Sequence, residues 1–237
     1  MNLFYTPTLE GELVELPAEE AHHAANVLRM QVGDRIGLLD GIGKRAEAEL
    51  VEVSKKRVLA RITSQETSAA ERTARIHIAV APTKQSERIE WFVEKAVELG
   101  VDRITPLITT RSERTRLRTD RLQRVAIAAM KQSQRAWLPR IDEPTTLAEM
   151  LQQELPAQRY FGWCEGEHAS LMQTYSPDSD ALVLIGPEGD LSAEEADLLR
   201  STGFSAVSIG NARLRTETAA LAVCTWMSLA QQGRRAG

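Results

Sequence analysis

Two stretches in the last quarter of the chain combine residue types that can hold a ligand. They are Leu184-Ile185-Gly186-Pro187-Glu188-Gly189-Asp190-Leu191-Ser192 and Ile209-Gly210-Asn211-Ala212-Arg213-Leu214-Arg215-Thr216-Glu217-Thr218-Ala219. Glycine lacks a Cβ and tolerates positive φ, so Gly186-Pro187-Glu188-Gly189 can turn sharply and bring bare backbone against a bound molecule. In the second stretch Thr216 or Thr218 can cap a following helix, which leaves first-turn backbone donors exposed beside Arg213 and Arg215. GPEG is neither the GxGxxG of dinucleotide folds nor a P-loop, so those fingerprints are missing. For either stretch alone, an ordinary strand-loop-helix connection is the plain alternative.

The second chemical signal is arginine. The chain carries a net charge of −4, but residues 111–140 hold nine basic residues against Glu113 and Asp120, a local net of +7, while residues 141–237 carry −8. A patch of this kind is an electrostatic footprint for phosphate. Guanidinium forks bind phosphate bidentately and stack on bases, whereas lysine acts as a point charge, so RNA becomes the natural partner. A solvated helix face paired with the acidic C-terminal part is the competing explanation.

The elements that must position these residues follow from periodicity. Ala181 to Ile185 and Ala206 to Ile209 are continuous apolar runs bounded by turn residues, the pattern of buried parallel strands. Ser192 followed by Glu195 predicts a capping box and a helix start, and Ala219 to Leu229 reads as an apolar helix. In an open α/β sheet, ligands collect beyond the carboxyl ends of the strands, where both loops would lie. Upstream, Ile76 to Pro82 and Arg103 to Ile108 read as strands around an amphipathic helix, Arg88 to Leu99, closed by Gly100. A basic helix at Thr119 to Ala136, a helix near Leu147 to Gln153 and a strand at Arg159 to Trp163 follow. The alternation predicts an α/β domain at 75–237 with a largely parallel sheet.

Residues 1–70 read differently. Arg35 to Asp40 and Arg45 to Val51 alternate around Gly41-Ile42-Gly43, a hairpin turn, and Val58 to Ile62 extends the pattern. With one helix at Ala18 to Leu28 this predicts a small β-barrel, and Ser64 to Thr73 reads as the linker.

Composition bounds the rest. At 237 residues and 43% hydrophobic content the chain can bury a real core. It has no run long enough to span a bilayer and no signal-peptide pattern at Met1-Asn2-Leu3-Phe4-Tyr5, so no membrane and a cytoplasmic location are expected. Cys164 and Cys224 lack CxxC spacing and do not combine with His22, His23, His77 and His168 into a metal pattern, so no metal is expected. Adjacent His22 and His23 diverge on a helix and read as surface or cap residues. Cys224 reads as a small core residue.

Several blocks, in order, resemble the RsmE family of 16S ribosomal RNA uridine-N3 methyltransferases of the SPOUT superfamily. They are His22 to Met30 with Val32-Gly33-Asp34, Lys84 to Arg88, Lys95 to Val101, Ile104 to Leu107, Lys131-Gln132-Ser133 with Arg135 and Pro139, and the two loops. The resemblance implies a PUA-like β-barrel RNA-binding domain before a SPOUT α/β domain tied in a trefoil knot, S-adenosyl-L-methionine as cofactor, 16S rRNA of the small ribosomal subunit as substrate, and a homodimer. Residue by residue, it implies a cofactor site at Leu184, Ile185, Gly186, Pro187, Glu188, Gly189, Ile209, Gly210, Asn211, Leu214, Arg215 and Thr216. RNA contacts are implied at Arg29, Lys84, Arg88, Arg111, Arg114, Arg116, Arg118 and Arg135. Arg215 is expected to orient the uracil or stabilise its developing charge, and Glu217 to accept the proton or orient Arg215. A helix first-turn carboxylate is the structural alternative for Glu217. In the apolar helix, Trp226 and Met227 could form the dimer contact or part of the core. The chain departs from the family pattern at Asp190, where a second glycine is common, and at Ala212-Arg213. A SPOUT methyltransferase acting on tRNA or a ribose 2′-hydroxyl, and a non-catalytic RNA-binding protein, are the alternatives.

Overall fold

The computed structural model describes residues 1–54, 57–70, 72 and 74–233. Two compact units emerge: residues 1–71 with 127–138, and residues 72–126 with 139–237. The first is therefore discontinuous in sequence.

The first unit is a five-stranded mixed sheet. It contains β1 (Asn2–Tyr5), β2 (Leu13–Glu15), β3 (Arg35–Leu39), β4 (Lys44–Val53) and β5 (Val58–Thr67) in the order β1-β3-β4-β5-β2. The predicted hairpin is β3-β4, antiparallel, with Gly41 and Gly43 at φ 77° and 105°. Apolar side chains from the strands gather around Phe4, Ile36, Leu38, Leu50 and Val58, all essentially buried.

Two expectations need correction here. β5 continues to Thr67 by pairing with β4 (Lys44↔Thr67), so Ser64 to Thr67 is strand and not linker; a polar, half-exposed ladder carries no apolar period to reveal it. Residues 71 and 73 of the expected linker lie outside the described residues. The helix expected over Ala18 to Leu28 is α1 (Ala18–His22) followed by a π-helical turn (His23–Val27), in which the Leu28 N–H donates to His23 O at 2.9 Å. His22 is exposed and bonded to Asn26 (3.1 Å), while His23 packs edge-on against Phe4.

The second unit is a parallel sheet flanked by helices. Its elements are β6 (Ile76–Val80), α2 (Ser86–Glu98), β7 (Arg103–Ile108), α3 (Thr119–Gln132, whose residues from 127 on belong to the first unit), β8 (Arg140–Ile141), β9 (Thr145–Thr146), α4 (Leu147–Leu151), β10 (Gln158–Gly162), α5 (Leu171–Thr174), β11 (Ala181–Ile185), α6 (Ala193–Ser201), β12 (Ser205–Val207) and α7 (Thr216–Gly233). The strand order is β12-β10-β11-β6-β7-β8, with β9 also on β7. Every pairing in this sheet is parallel. That explains the continuous apolar runs, since helices can cover both faces. β6 and β11 are buried at every position.

Helix α3 ends at Gln132, four residues before the expected Ala136. Gln134 takes φ 57°, and the Arg135 and Gln134 N–H groups donate back to Met130 O (3.0 Å) and Lys131 O (3.2 Å). This Schellman pattern closes the helix without glycine, which is why sequence alone runs past it. Helix α7 is longer than expected, starting at Thr216. Its Met227 and Cys224 are fully buried, so Met227 belongs to the core, whereas Leu229 is 57% exposed. Among the described residues no helix is long and apolar enough to cross a membrane.

At the amino ends of the central strands lies a buried polar group. The His77 ring meets Thr105 Oγ1 at 2.7 Å, Thr105 donates to Asp142, and Arg103 and Arg140 pair with Asp142 at 2.6 and 2.7 Å. Burial above all, then Arg103, pushes the His77 pKa down to about 3.

Candidate functional site

The two loops meet. A cleft of about 1230 Å³ lies at the carboxyl ends of β10, β11 and β12, lined by residues 185–190 of the first loop and 207–216 of the second. Of the twelve expected cofactor residues, all border this cleft except Leu184, which is fully buried in β11 opposite Phe161. The Leu184 side chain is thus part of the core, packed within the sheet.

The first loop is heavily built. A Cβ on Gly186 would come within 3.1 Å of Leu191 N, tighter than an ordinary van der Waals contact, so glycine eases the loop's fold back on itself. Asp190 N–H donates to Pro187 O at 2.9 Å, and the Arg111 guanidinium donates to Gly189 O (2.7 Å) and Leu191 O (3.0 Å). Beyond it the predicted capping box is present: Ser192 Oγ accepts from Glu195 N (3.2 Å) and Glu195 Oε2 from Ser192 N (2.8 Å). Glu195 Oε1 also accepts from the Thr110 N–H and hydroxyl, fastening α6 to the segment after β7. Arg111, expected on RNA, supports the loop and lines the cleft.

The second loop is more open. Gly210 to Arg215 are all exposed, and Leu214 is 37% exposed beside the cleft. Arg215, not a threonine, occupies the residue before the helix, its carbonyl accepting from Ala219 N at 2.8 Å. The Thr216 hydroxyl, expected as a cap, donates to Gly186 O at 3.2 Å and ties the two loops together. Glu217 is 7% exposed and faces Arg88 (3.8 Å), so it holds Arg88 and does not orient the exposed Arg215.

A third loop was missed. Trp163 to His168, after β10, forms a further wall of the cleft, with Gly166 at φ 86° and His168 Nε2 at 2.7 Å from Glu165 O. Its signal was a strand ending in a glycine-containing loop, as in the other two, but no apolar helix follows it directly. Near Cys164, burial first and then the Asp190 carboxylate raise the thiol pKa.

The basic patch is partly consumed by ion pairs. Arg118 and Arg124 both reach Asp120 (2.8 and 2.9 Å), Arg121 meets Glu90 (2.6 Å), Arg140 meets Asp142, and Lys131 pairs with Glu20 (2.5 Å). The simple charge count therefore overstates what is free to meet phosphate. Arg114 and Arg116 line a shallow depression of about 390 Å³ with Lys84, whose ammonium is 3.1 Å from Glu113. Arg29 is exposed in the first unit with φ 54°, and Arg135 is half-buried after α3.

The cleft suits a small molecule with an apolar ring and a charged tail. Ile185, Pro187, Ile209, Leu214 and Ala219 offer apolar wall, loop backbone offers donors and acceptors, and Glu165, Glu167, Glu188 and Asp190 offer negative charge. Comparison with known proteins agrees. Residues 70–228 match the RNA methyltransferase domain family, and residues 16–63 match the RNA methyltransferase PUA domain. A probable rRNA-methyltransferase from Porphyromonas gingivalis has a similar structure, with a TM-score of 0.90 at 40% identity over 99% of this chain and 100% of that one. The ribosomal RNA small subunit methyltransferase E of Neisseria gonorrhoeae, solved bound to S-adenosyl methionine, has a TM-score of 0.87 at 30% identity over 97% of each chain. The protein of that name from Rickettsia conorii is 29% identical, over 90% of this chain and 88% of its own. The fold and the family matches define an RNA methyltransferase, an α/β methyltransferase domain preceded by a PUA-like β-domain. Within that class the chain belongs to the ribosomal RNA small subunit methyltransferase E family, the one its sequence resembles.

Proposed function

We propose that this chain uses S-adenosyl-L-methionine to methylate N3 of a specific uridine in 16S rRNA of the small ribosomal subunit, as a cytoplasmic homodimer. Residues 75–237 would hold cofactor and target base, and residues 1–70 would grip the surrounding RNA; residues 234–237 lie outside the described ones. The observation that carries the reading is the single cleft on which eleven of the twelve expected cofactor residues converge.

S-adenosylmethionine supplies a methyl group made electrophilic by its sulfonium. Transfer is an in-line displacement, so the protein's task is chiefly to hold donor and acceptor close and aligned. The built first loop and the apolar side chains of the cleft fit an adenosine held by backbone contacts. Arg215, exposed at the end of the second loop, is proposed to orient the uracil and stabilise negative charge as the N3 proton leaves. Glu217, two residues on from Arg215 and facing Arg88 at 3.8 Å, is proposed as the proton acceptor. N3 faces its pairing partner in a duplex, so the base must be unpaired or flipped to react. Arg29, Lys84, Arg88, Arg114, Arg116, Arg118 and Arg135 are proposed to contact the RNA backbone, an attraction that weakens with salt.

The test is mass mapping of small-subunit rRNA from cells with and without the gene, followed by adding back protein and S-adenosylmethionine to unmodified subunits. Loss and restoration of one N3-methyluridine is the expected result. An unchanged set of uridines would move the activity to another RNA or to binding alone.

A further inference from the structure

Asp190 adopts φ 62°, the left-handed region that costs most residues strain. Aspartate tolerates this region better than most side chains because its short carboxylate can bond locally. Here it does more. Oδ1 accepts from Leu191 N at 2.8 Å, fixing the turn, and Oδ2 accepts from Cys164 N at 3.2 Å, across to the loop that follows β10. Asp190, Cys164 and the whole segment Cys164 to His168 line the same cleft. A glycine at this position would keep the turn and lose the bridge.

We infer that Asp190 is a positioning residue: its carboxylate latches the Cys164–His168 loop to the Gly186–Gly189 turn and so sets the width of the cofactor cleft before any ligand arrives. The ligand class, S-adenosylmethionine, rests on the function proposed above; the latch itself does not. Asp190 acts through the third loop and is not a group assigned to the reacting atoms. The arrangement replaces the conformational ease of glycine with a charge-assisted bond to a neighbouring loop, so the wall is preorganised at the expense of backbone strain.

The experiment compares the full-length protein with Asp190→Asn and Asp190→Gly. Amide exchange is measured at Cys164 to His168 without cofactor, and the affinity for S-adenosylmethionine is measured by calorimetry. Asparagine keeps the tolerance for positive φ and loses the anionic acceptor; glycine removes strain and bridge together, which guards against a variant that merely misfolds. Faster exchange at Cys164 in both variants, with affinity about tenfold weaker in Asp190→Gly, is the expected result for loss of a charge-assisted hydrogen bond. Unchanged exchange at Cys164 overturns the latch. Faster exchange with unchanged affinity overturns its role in the cofactor site. Should the unaltered protein bind no S-adenosylmethionine at all, the functional reading fails, while the exchange data still decide the latch.

Discussion

The two loops that share the cleft are built on opposite principles. In the first, Gly186 and Pro187 are buried, two carbonyls are held by Arg111, and the chain runs straight into a helix closed by a capping box. In the second, Gly210 to Arg215 lie exposed, and the principal tie is the Thr216 hydroxyl on Gly186 O. Under the proposed function, the difference would leave the first loop to binding alone and let the second serve both the cofactor and, through Arg215, the RNA. A preformed loop lowers the cost of ordering on binding, whereas the group that meets a large RNA substrate has to remain reachable until that substrate arrives.

The sharpest break in that contrast is Arg215→Ala. Turnover is expected to fall by roughly a hundredfold or more, the scale for losing a charge-stabilising donor, while S-adenosylmethionine affinity stays within about tenfold. Single-turnover kinetics beside calorimetry read the two separately, and a loss confined to cofactor binding would transfer Arg215 to the first loop's task. Next in size is Arg111→Ala, which strips two hydrogen bonds from the first loop and should make it resemble the second. Cofactor affinity is expected to drop about tenfold and amide exchange at Gly189 to Leu191 to rise. Little change in either would mean that the turn and the capping box hold the loop unaided.

The smallest effect lies away from both loops. His77 titrates near 6.5 when unfolded and is pushed to about 3 by burial and Arg103 when folded. The unfolded chain therefore binds more protons between these values, and stability is full above about 6.5 and declines as the pH falls toward 3. Thermal melts from pH 7.5 to 4 should show a falling midpoint, flatter in His77→Gln. The affinity ratio between unaltered protein and Arg111→Ala should stay constant across the series. A ratio that moves with pH would couple the amino ends of the strands to the loops at their other ends.

Much of this was legible in sequence because it is local. Ser192 and Glu195 form the expected capping box, and the apolar runs Ala181 to Ile185 and Ala206 to Ile209 fall at β11 and β12, the second strand ending at Val207, because turn chemistry and periodicity are written within a few residues. What escaped is bonded across long separations. Arg111 reads as part of a charge run until its carbonyl partners, nearly eighty residues on, are seen. Glu217 reads as a partner for nearby Arg215, yet the fold gives it Arg88. The third loop lacks a following apolar helix, and α3 ends on Gln134 in a conformation that sequence patterns assign to glycine. A charge count overstates the patch for the same reason, since Glu20 and Glu90 neutralise Lys131 and Arg121, far from them in sequence.

One packing detail bears on how the chain is made. A Cβ on Gly43 would lie 2.6 Å from Trp137 Cζ2, and Gly43 N donates to Ala136 O while Leu138 N donates to Gly41 O. The β3-β4 turn is thus a socket for residues almost a hundred positions downstream. Nascent chains usually complete their first domain before the second emerges, but here the first unit waits for Trp137 and Leu138, which follow β6 and β7, two of the parallel sheet's seven strands. The high loop-closure separation slows that step, and a fragment cut near residue 70 would emerge with its turn unfilled.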